Sequence, residues 1–447
     1  MLSPRSVLFR LRGAAATLLC VLLTLSPCGR VGTAHARARL STADAALLED
    51  LERRAFSFFW EHADPQTGLV LDRAHTNGQP HNEHESSYHI ASSAATGFGL
   101  TALCIAAAHG WVQRSAARAR VRTTLRFYAE RATHEHGWFY HWMDQPTGER
   151  RWRSEISSID TALLLAGMLT ARRCFNEDRE IVRLATQIYE RVDFQWMLAG
   201  QPTLLAHGWR PETGFLHARW DTYSEHLILQ LLAISSPKHP ITPLAWRAWQ
   251  RQRITYAGYT YLTGGPLFIH QYTHAYVNFR GRRESWYPFT DYFANSVAAT
   301  RAHRQFCLDL AREFPGYTAN VWGISASDSA QGYVAWGGPP RDPAIDGTVV
   351  PYAAAGSLMF TPDISLPALR TMRAQYGTTA YGRYGFADAF NPTTGWVDPD
   401  VIGIDLGITL LGAENLRTGN VWRWFMANPE LPRALRLVGL NRRGRAE

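Results

Sequence analysis

Lysine is almost missing from this chain. Of its 447 residues 46 are basic, and Lys238 is the single lysine, the rest being arginine. No Lys/Arg run with interleaved aromatics occurs of the kind that tracks a phosphate backbone, so nucleic acid is not an expected partner. Cysteine is scarce as well, five in all. Beyond residue 36 only Cys104, Cys174 and Cys307 remain, each in an apolar, helix-like context. None has a CxxC or Cys/His spacing suited to zinc, and three scattered cysteines make no disulfide framework. Buried free thiols are expected. No stretch after residue 36 reaches the ~18 uncharged apolar residues a membrane span needs. Phosphate-cradling GxxxxGK[ST] and dinucleotide GxGxxG motifs are absent. Ser92-Ser93-Ala94-Ala95 lacks the flanking glycines of a nucleophile elbow and reads as close helix packing. No cofactor is expected.

What is present begins with a leader. Arg5, Arg10 and Arg12 precede an apolar run over 14–25, and Thr33-Ala34-His35-Ala36 follows. Basic, apolar and A-x-A segments in that order read as a cleavable signal peptide over residues 1–36. Cys28 offers a lipoprotein alternative, which Pro27 directly before it disfavours. A periplasmic or secreted location follows. Residues 1–36 carry four arginines and no acid, so their removal takes the net charge from +8 to +4. The remaining length would permit two domains, but no Ser/Pro/Gly linker or low-complexity tract divides it. A single domain over 37–447, acting as a monomer, is expected.

Helical periodicity recurs from end to end. Ser41-Thr42-Ala43-Asp44 gives an N-cap signal ahead of Leu47, Leu48, Leu51, Phe56, Phe59 and Trp60. Further helices are predicted over 90–108, 113–132, 156–174, 180–192, 224–234, 245–256, 292–314, 366–376 and 402–417, with shorter ones near 352–359 and 420–427. Strand-like alternation is confined to patches such as 138–142 and 69–72. Between the helices a turn recurs: Pro65-Gln66-Thr67-Gly68, Pro146-Thr147-Gly148, Pro211-Glu212-Thr213-Gly214 and Pro392-Thr393-Thr394-Gly395. Proline sets φ early in such a reversal and glycine supplies positive φ at its end. About a dozen helices with elaborate connections predict an all-α fold of helical hairpins closed into a ring, an open α-solenoid being the alternative.

Aromatic residues are abundant, 16 Trp, 18 Tyr and 20 Phe, and many sit in loops. Their flat faces suit the C–H faces of sugar rings. Glycoside cleavage also needs two carboxyl groups, one to protonate the leaving oxygen and one to activate water or attack. Asp160 stands where a polar segment enters an almost wholly apolar helix, and Glu225 stands in the same way 65 residues later. The plainer readings are a first-turn aspartate stabilised by the helix dipole and a capping-box glutamate paired with Thr222. His270 and His274 have the spacing of a zinc pair, but no Glu lies between them and no third ligand is near, so no metal is expected. Hydrogen bonding to sugar hydroxyls suits the mixture of His270, Gln271, Tyr272, His274, Asn278 and Arg280 better. Glu155, Tyr223, Trp286, Asp291, Asp328 and Trp336 complete the candidate substrate-binding set.

Several runs resemble the glucoamylase-like bacterial glycoside hydrolases, whose members include endo-β-1,2-glucanases. They are Phe56-Ser57-Phe58-Phe59-Trp60, SSIDTALLLAG (157–167), TYSEHLILQLLA (222–233), GGPLFIHQYTHAY (264–276), WGISASDS (322–329) and IGIDLGITLLGAEN (402–415). The resemblance implies an (α/α)6 toroid and acid-driven, cofactor-free cleavage of β-linked glucans, the oligo- or polysaccharide substrate expected being β-1,2-glucan or its oligosaccharides. It also implies that Asp160 and Glu225 are catalytic or next to the catalytic groups. The endo-glucanase branch often carries a further acid two or three residues before the Asp160 position, where this chain has Ser157 and Ser158, so the partner acid and the linkage stay open. Asp405 is a third catalytic candidate, since the base in helical toroids often comes from late in the chain. Related modules transfer glycosyl groups instead of hydrolysing them. Two other classes remain: a polysaccharide lyase using Tyr272, His270, His274 and Arg280, and a non-catalytic glycan-binding protein.

Overall fold

A computed structural model describes residues 40–262 and 265–442. The leader read over 1–36 lies outside the described residues. From Ser41 onward the chain clusters into one compact unit.

Helical pairs follow one another along the chain: α1 (Thr42–Glu61) with α2 (Ser93–His109), α3 (Arg114–Glu130) with α4 (Ser158–Cys174), and α5 (Arg179–Arg191) with α6 (Leu227–Ile234). The second half repeats the scheme with shorter members: α7 (Ala245–Ala248) with α8 (Tyr272–Tyr276), α9 (Tyr292–Asp309) with α10 (Pro351–Ala355), and α11 (Pro362–Tyr376) with α12 (Gly403–Arg417). The first member of each pair is outer. In α5 only Ile181, Leu184, Ala185, Ile188 and Tyr189 are buried, one stripe at helical spacing. The second member is inner: every residue of α6 is buried, as are nearly all of α4 and α12. A helix that is apolar all round has to be enclosed by others. The ring closes where α12 packs against α1 and α2. Two last helices, α13 (Asn420–Met426) and α14 (Glu430–Leu437), follow, and α13 packs on α2, α4, α8 and α12. This is an all-α (α/α)6 toroid.

Connection length separates the two faces of the ring. Chain passing from an outer to an inner helix spans 62–92, 131–157, 192–226, 249–271, 310–350 and 377–402, whereas the return passages are 110–113, 175–178, 235–244, 277–291 and 356–361. All six inner helices therefore start on the long-loop face, where unpaired N–H groups and the positive dipole ends gather. Short antiparallel ribbons stitch neighbouring loops around that face. Arg73–His75 pairs with Asp400–Ile402, Ile90–Ser92 with Trp142–Asp144, and Ile156–Ser157 with Gly208–Arg210. The recurrent turn is formed at all four places, with φ of 71° at Gly68, 78° at Gly148, 77° at Gly214 and 78° at Gly395.

Two predicted elements differ. The helix read over 245–256 ends at Ala248, and Arg253–Tyr256 forms a hairpin with Tyr259–Leu262. Ala257 and Gly258 both take positive φ, 49° and 80°, as a two-residue hairpin turn requires. The run 272–276, read as a binding cluster, is the inner helix α8, and α14 was not foreseen.

Candidate active site

Asp160 and Asp405 occupy the same register. Each is the third residue of an inner helix that follows a short strand, Ile156–Ser157 before α4 and Asp400–Ile402 before α12. Ser157 caps α4, its Oγ accepting from the Asp160 N–H at 3.2 Å and donating to Asp160 Oδ2 at 2.5 Å. Glu225 lies two residues ahead of α6 on the same face, half-buried, with the Ser224 hydroxyl donating to its carboxylate. Burial pushes the Glu225 carboxyl above its ordinary range, and the charge of Asp160 adds to that. Asp160 is likewise raised by burial, against the pull of His141. Two acids distant in sequence thus sense each other across one rim.

His141 joins them to a third acid. Its Nδ1 is 3.1 Å from Glu155 Oε1 and its Nε2 is 3.5 Å from Asp160 Oδ1. Burial alone would lower the imidazole, but Asp160 and Glu155 outweigh it and hold the ring above its ordinary value. Glu155 responds in the opposite sense: burial acts to raise it, yet the hydrogen bond and charge of His141, with Arg210 at 3.5 Å, bring it down to about 2. Glu155, two residues before Ser157, thus reaches the Asp160 neighbourhood through a histidine. His141 also stacks on Trp142, centroids 3.5 Å apart and planes 12° apart. The Trp142 indole donates to Asp72 Oδ1 at 3.3 Å.

The opposite wall is acidic. Arg73 lies 3.2 Å from Asp72 Oδ2 and 2.6 Å from Asp328 Oδ2. The Asp328 N–H donates to Asp388 Oδ2 at 3.0 Å, and the Tyr272 hydroxyl donates to Asp405 Oδ1 at 3.3 Å. Asp388 and Asp405 act on each other, and burial raises both, Asp405 to about 8. Tyr333 stands over this wall. It is 52% exposed, yet its hydroxyl feels Asp405, Asp388, Asp72 and Asp328, which marks it as a side chain standing in a concavity. Trp152, 45% exposed, lies edge-on to Trp142 with centroids 5.2 Å apart, so aromatic faces are open beside the acids.

The structure brings together Glu155, Asp160, Glu225, Tyr272, Asp328 and Asp405 and leaves the rest of the predicted set elsewhere. Gln271 is wholly buried between inner helices, donating to the Ala353 carbonyl and the Ser357 hydroxyl, both at 2.9 Å. His274 is enclosed against Ser296, Phe279 and Phe360, and His270 against Tyr223 and Tyr261. Burial holds both histidines neutral, each brought down to about 3. Tyr223 packs in the same aromatic core at 1% exposure. Arg280, Trp286 and Asp291 belong to the 277–291 passage on the far face of the ring. Arg280 bonds the Met359 carbonyl and covers Trp422, Trp286 donates to the Val438 carbonyl, and Asp291 caps α9. Trp336 is on a long loop of the cleft face but only 2% exposed. These seven are corrected from substrate contacts to packing or capping residues, and Trp336 is a buried residue. The lyase reading loses His270, His274 and Arg280 with them. Sequence reasoning passed over Asp72, Arg73, His141 and Tyr333; the only sequence signal was the aromatic company of His141 in Trp138–Trp142.

Known proteins share the fold of this chain. The sequence model of the family described as Glycoamylase, a glucoamylase family, matches residues 217–429. Over that stretch the chain is similar to the glucoamylase family. The glucoamylase-like chain is 28% identical over 435 residues to the exo β-1,2-glucooligosaccharide sophorohydrolase (non-reducing end) of Parabacteroides distasonis. That match covers 88% of this chain but 58% of the sophorohydrolase, so the chain spans a little over half of its relative's length. Among solved structures, the endo-β-1,2-glucanase of Chitinophaga pinensis, in complex with sophorotriose and glucose, superposes with a TM-score of 0.82 and 27% identity, over 90% of this chain and 99% of that one. The β-1,2-glucanase of Parabacteroides distasonis gives 0.79 and 25%, over 90% and 60%. An endo-β-1,2-glucanase of Talaromyces funiculosus, 14% identical with a TM-score of 0.62, shares the fold. Among the described residues no helix is long and apolar enough to cross a membrane.

Proposed function

We propose that this chain is a glycoside hydrolase that cleaves β-linked glucan, β-1,2-glucan or its oligosaccharides, by carboxylate acid/base catalysis. The observation that carries the reading is the divergence of acids on one rim: Glu225 raised by burial beside Asp160, and Glu155 depressed to about 2 by His141. Glycoside cleavage needs one carboxyl that keeps a proton to donate and one that is charged. Burial raises Asp160 as it does Glu225, and the charged His141 beside Asp160 pulls the other way. Glu225 is the proton donor in this proposal. Asp160, held by Ser157 and His141, is its partner at the reacting carbon, and the ionised Glu155 keeps His141 charged behind it. Trp142, Trp152 and Tyr333 offer faces and a hydroxyl to the sugars. The relatives named above supply the linkage. The proposal also has the chain exported, on the support of Arg5, Arg10, Arg12, the apolar run over 14–25 and Ala34-His35-Ala36.

The test is reducing-end release from a panel of β-glucans by wild type, Glu225→Gln and Asp160→Asn. Removing a positioned acid or base costs about 10²–10⁴ in rate. Both variants fold and lose activity on that scale if the assignment is right. Undiminished turnover in both defeats it.

A further inference from the structure

Where the first hairpin meets the last, two histidines and a glutamate converge beside the acidic wall, Asp400 lying 3.9 Å from Arg73. His75 sits in the strand Arg73–His75, directly opposite Asp400 in the strand Asp400–Ile402. His81 follows in the same loop and is 8% exposed. Asp400 holds both rings from one side, with His75 Nδ1 at 2.8 Å from Oδ1 and His81 Nε2 at 2.9 Å from Oδ2. The rings stack, centroids 4.5 Å apart. Their other nitrogens face Glu85 Oε1, His75 Nε2 at 3.1 Å and His81 Nδ1 at 3.9 Å. Glu85 is itself fixed from behind, its Oε2 accepting from the Asn82 N–H at 2.8 Å and from the Asn82 amide at 2.5 Å. Neither nitrogen of the buried His81 ring makes a hydrogen bond, its contacts to Asp400 at 2.9 Å and Glu85 at 3.9 Å being ion-pair distances only.

We infer that His75 Nε2, His81 Nδ1 and Glu85 Oε1 form a site for a zinc-class divalent cation, with Asp400 as the carboxylate that orients both imidazoles. The three atoms lie within 4.8 Å of one another. Zinc bonds of ~2.0–2.2 Å at tetrahedral angles set ligand atoms roughly 3.3 Å apart. The 3.1 Å pair already meets that spacing, and a tilt of His81 towards Glu85 and His75 closes the other two, which stand at 3.9 Å and within 4.8 Å. A carboxylate on the far nitrogen of each ligating histidine is the usual support of such sites, since it fixes the tautomer and the ring direction. Two imidazoles and one carboxylate select zinc, cobalt, nickel or copper over calcium and magnesium, which take oxygen ligands. Three protein ligands leave one position for water. His75, His81 and Glu85 come from the α1–α2 loop and Asp400 from the α11–α12 loop, so the ion would clasp the seam at which the ring closes. The spacing His-x5-His-x3-Glu matches no common zinc motif, which hides the site from sequence reading.

The experiment uses the full chain without an affinity tag, treated with chelator and dialysed, then titrated with zinc chloride by calorimetry and with cobalt chloride by absorption. The expected result is one equivalent of zinc, intense d–d bands of low-coordinate cobalt, and a higher Tm with zinc present. His81→Asn and Glu85→Gln abolish binding, Asp400→Asn weakens it about 10–100-fold, and His84→Ala, an exposed neighbour, leaves it unchanged. Absence of saturable binding in wild type overturns the inference. So does binding that survives both His81→Asn and Glu85→Gln, or that is lost with His84→Ala.

Discussion

At the scale of single residues, the chemistry depends on one imidazole with an acid on each nitrogen. His141 is buried, and burial by itself favours the neutral ring; the carboxylates of Asp160 and Glu155 reverse that. Glu155→Gln takes away one of those charges and the hydrogen bond at 3.1 Å. The His141 titration, followed by NMR of its ring protons, then moves to lower pH than in wild type, and Asp160 loses its cationic neighbour as pH rises through that value. Activity of the variant is expected to fall on the alkaline side first. A His141 titration that does not move would show that Glu155 does not govern the ring. This trio also marks a limit of the sequence. Asp160 and Glu225 could be found because each marks the entry to an apolar helix. His141 could not, because its role arises from the strand pairing that lays Trp142–Asp144 beside Ile90–Ser92 and so brings the loop across the mouth of α4. His270, His274 and Gln271 misled for the converse reason: polar residues close together in sequence looked like a binding surface, whereas the helical turn Leu267–His270 and the inner helix α8 that follows carry them into the core.

At the scale of elements, the tightest contact in the ring is between α2 and α4. Gly97 and Gly167 face each other there, and a Cβ added at Gly167 would lie 2.0 Å from the Gly97 carbonyl oxygen. Neither glycine is at positive φ, so the requirement is for space and not for backbone freedom. Backbone cannot yield as a flexible side chain does, so the two helices must separate. Gly167→Ala is expected to destabilise the protein by about 1–3 kcal/mol or more, the usual cost of overpacking, measured as a lower urea midpoint. Gly110→Ala is a control for added methyl volume, because its Cβ would meet nothing, although its φ of 71° carries its own strain. The long helices were legible from the sequence because enclosure on all sides makes them apolar over whole turns, as in Ala162–Leu169 of α4. The hairpin over 253–262 was not, because aromatic and β-branched residues at alternate positions also fit a helix face over so short a span. The recurrence of the four Pro/Gly turns, at uneven intervals, did show that the loops are built alike, and all four lie on the cleft face.

At the scale of the molecule, the loops of the cleft face carry more carboxyl groups than cations can neutralise, and this sets how the fold answers pH. Asp398 is raised to about 9 by burial, with Asp388 and Asp328 adding to it, while its Oδ1 accepts from the Asp400 N–H at 3.0 Å and its Oδ2 has no partner. Asp405 is raised to about 8 and Asp388 also upward, the two acting on each other, so their titration belongs to the pair. In the unfolded chain these acids lose their protons near the ordinary value of ~3.9. Between that value and the raised ones the folded protein holds protons the unfolded chain has released. Stability contributed by such groups is present in full below about pH 4 and is lost as pH rises towards 8 and 9, at up to about 1.4 kcal/mol per pH unit for each proton retained. Glu155 acts with the opposite sign: its contribution is present above its ordinary value and lost only as pH falls towards 2. Buried His270 and His274, brought down to about 3, also act with the opposite sign up to their ordinary value of ~6.5. It is therefore from about pH 7 to 9 that the raised acids dominate and the Tm of wild type is expected to decline. Asp398→Asn keeps an acceptor for the Asp400 N–H and removes one titrating proton, so its Tm should decline less and exceed that of wild type by pH 8. A parallel decline in both proteins would show that Asp398 is ionised in the fold, and that the loops of the cleft face carry their negative charge openly at neutral pH.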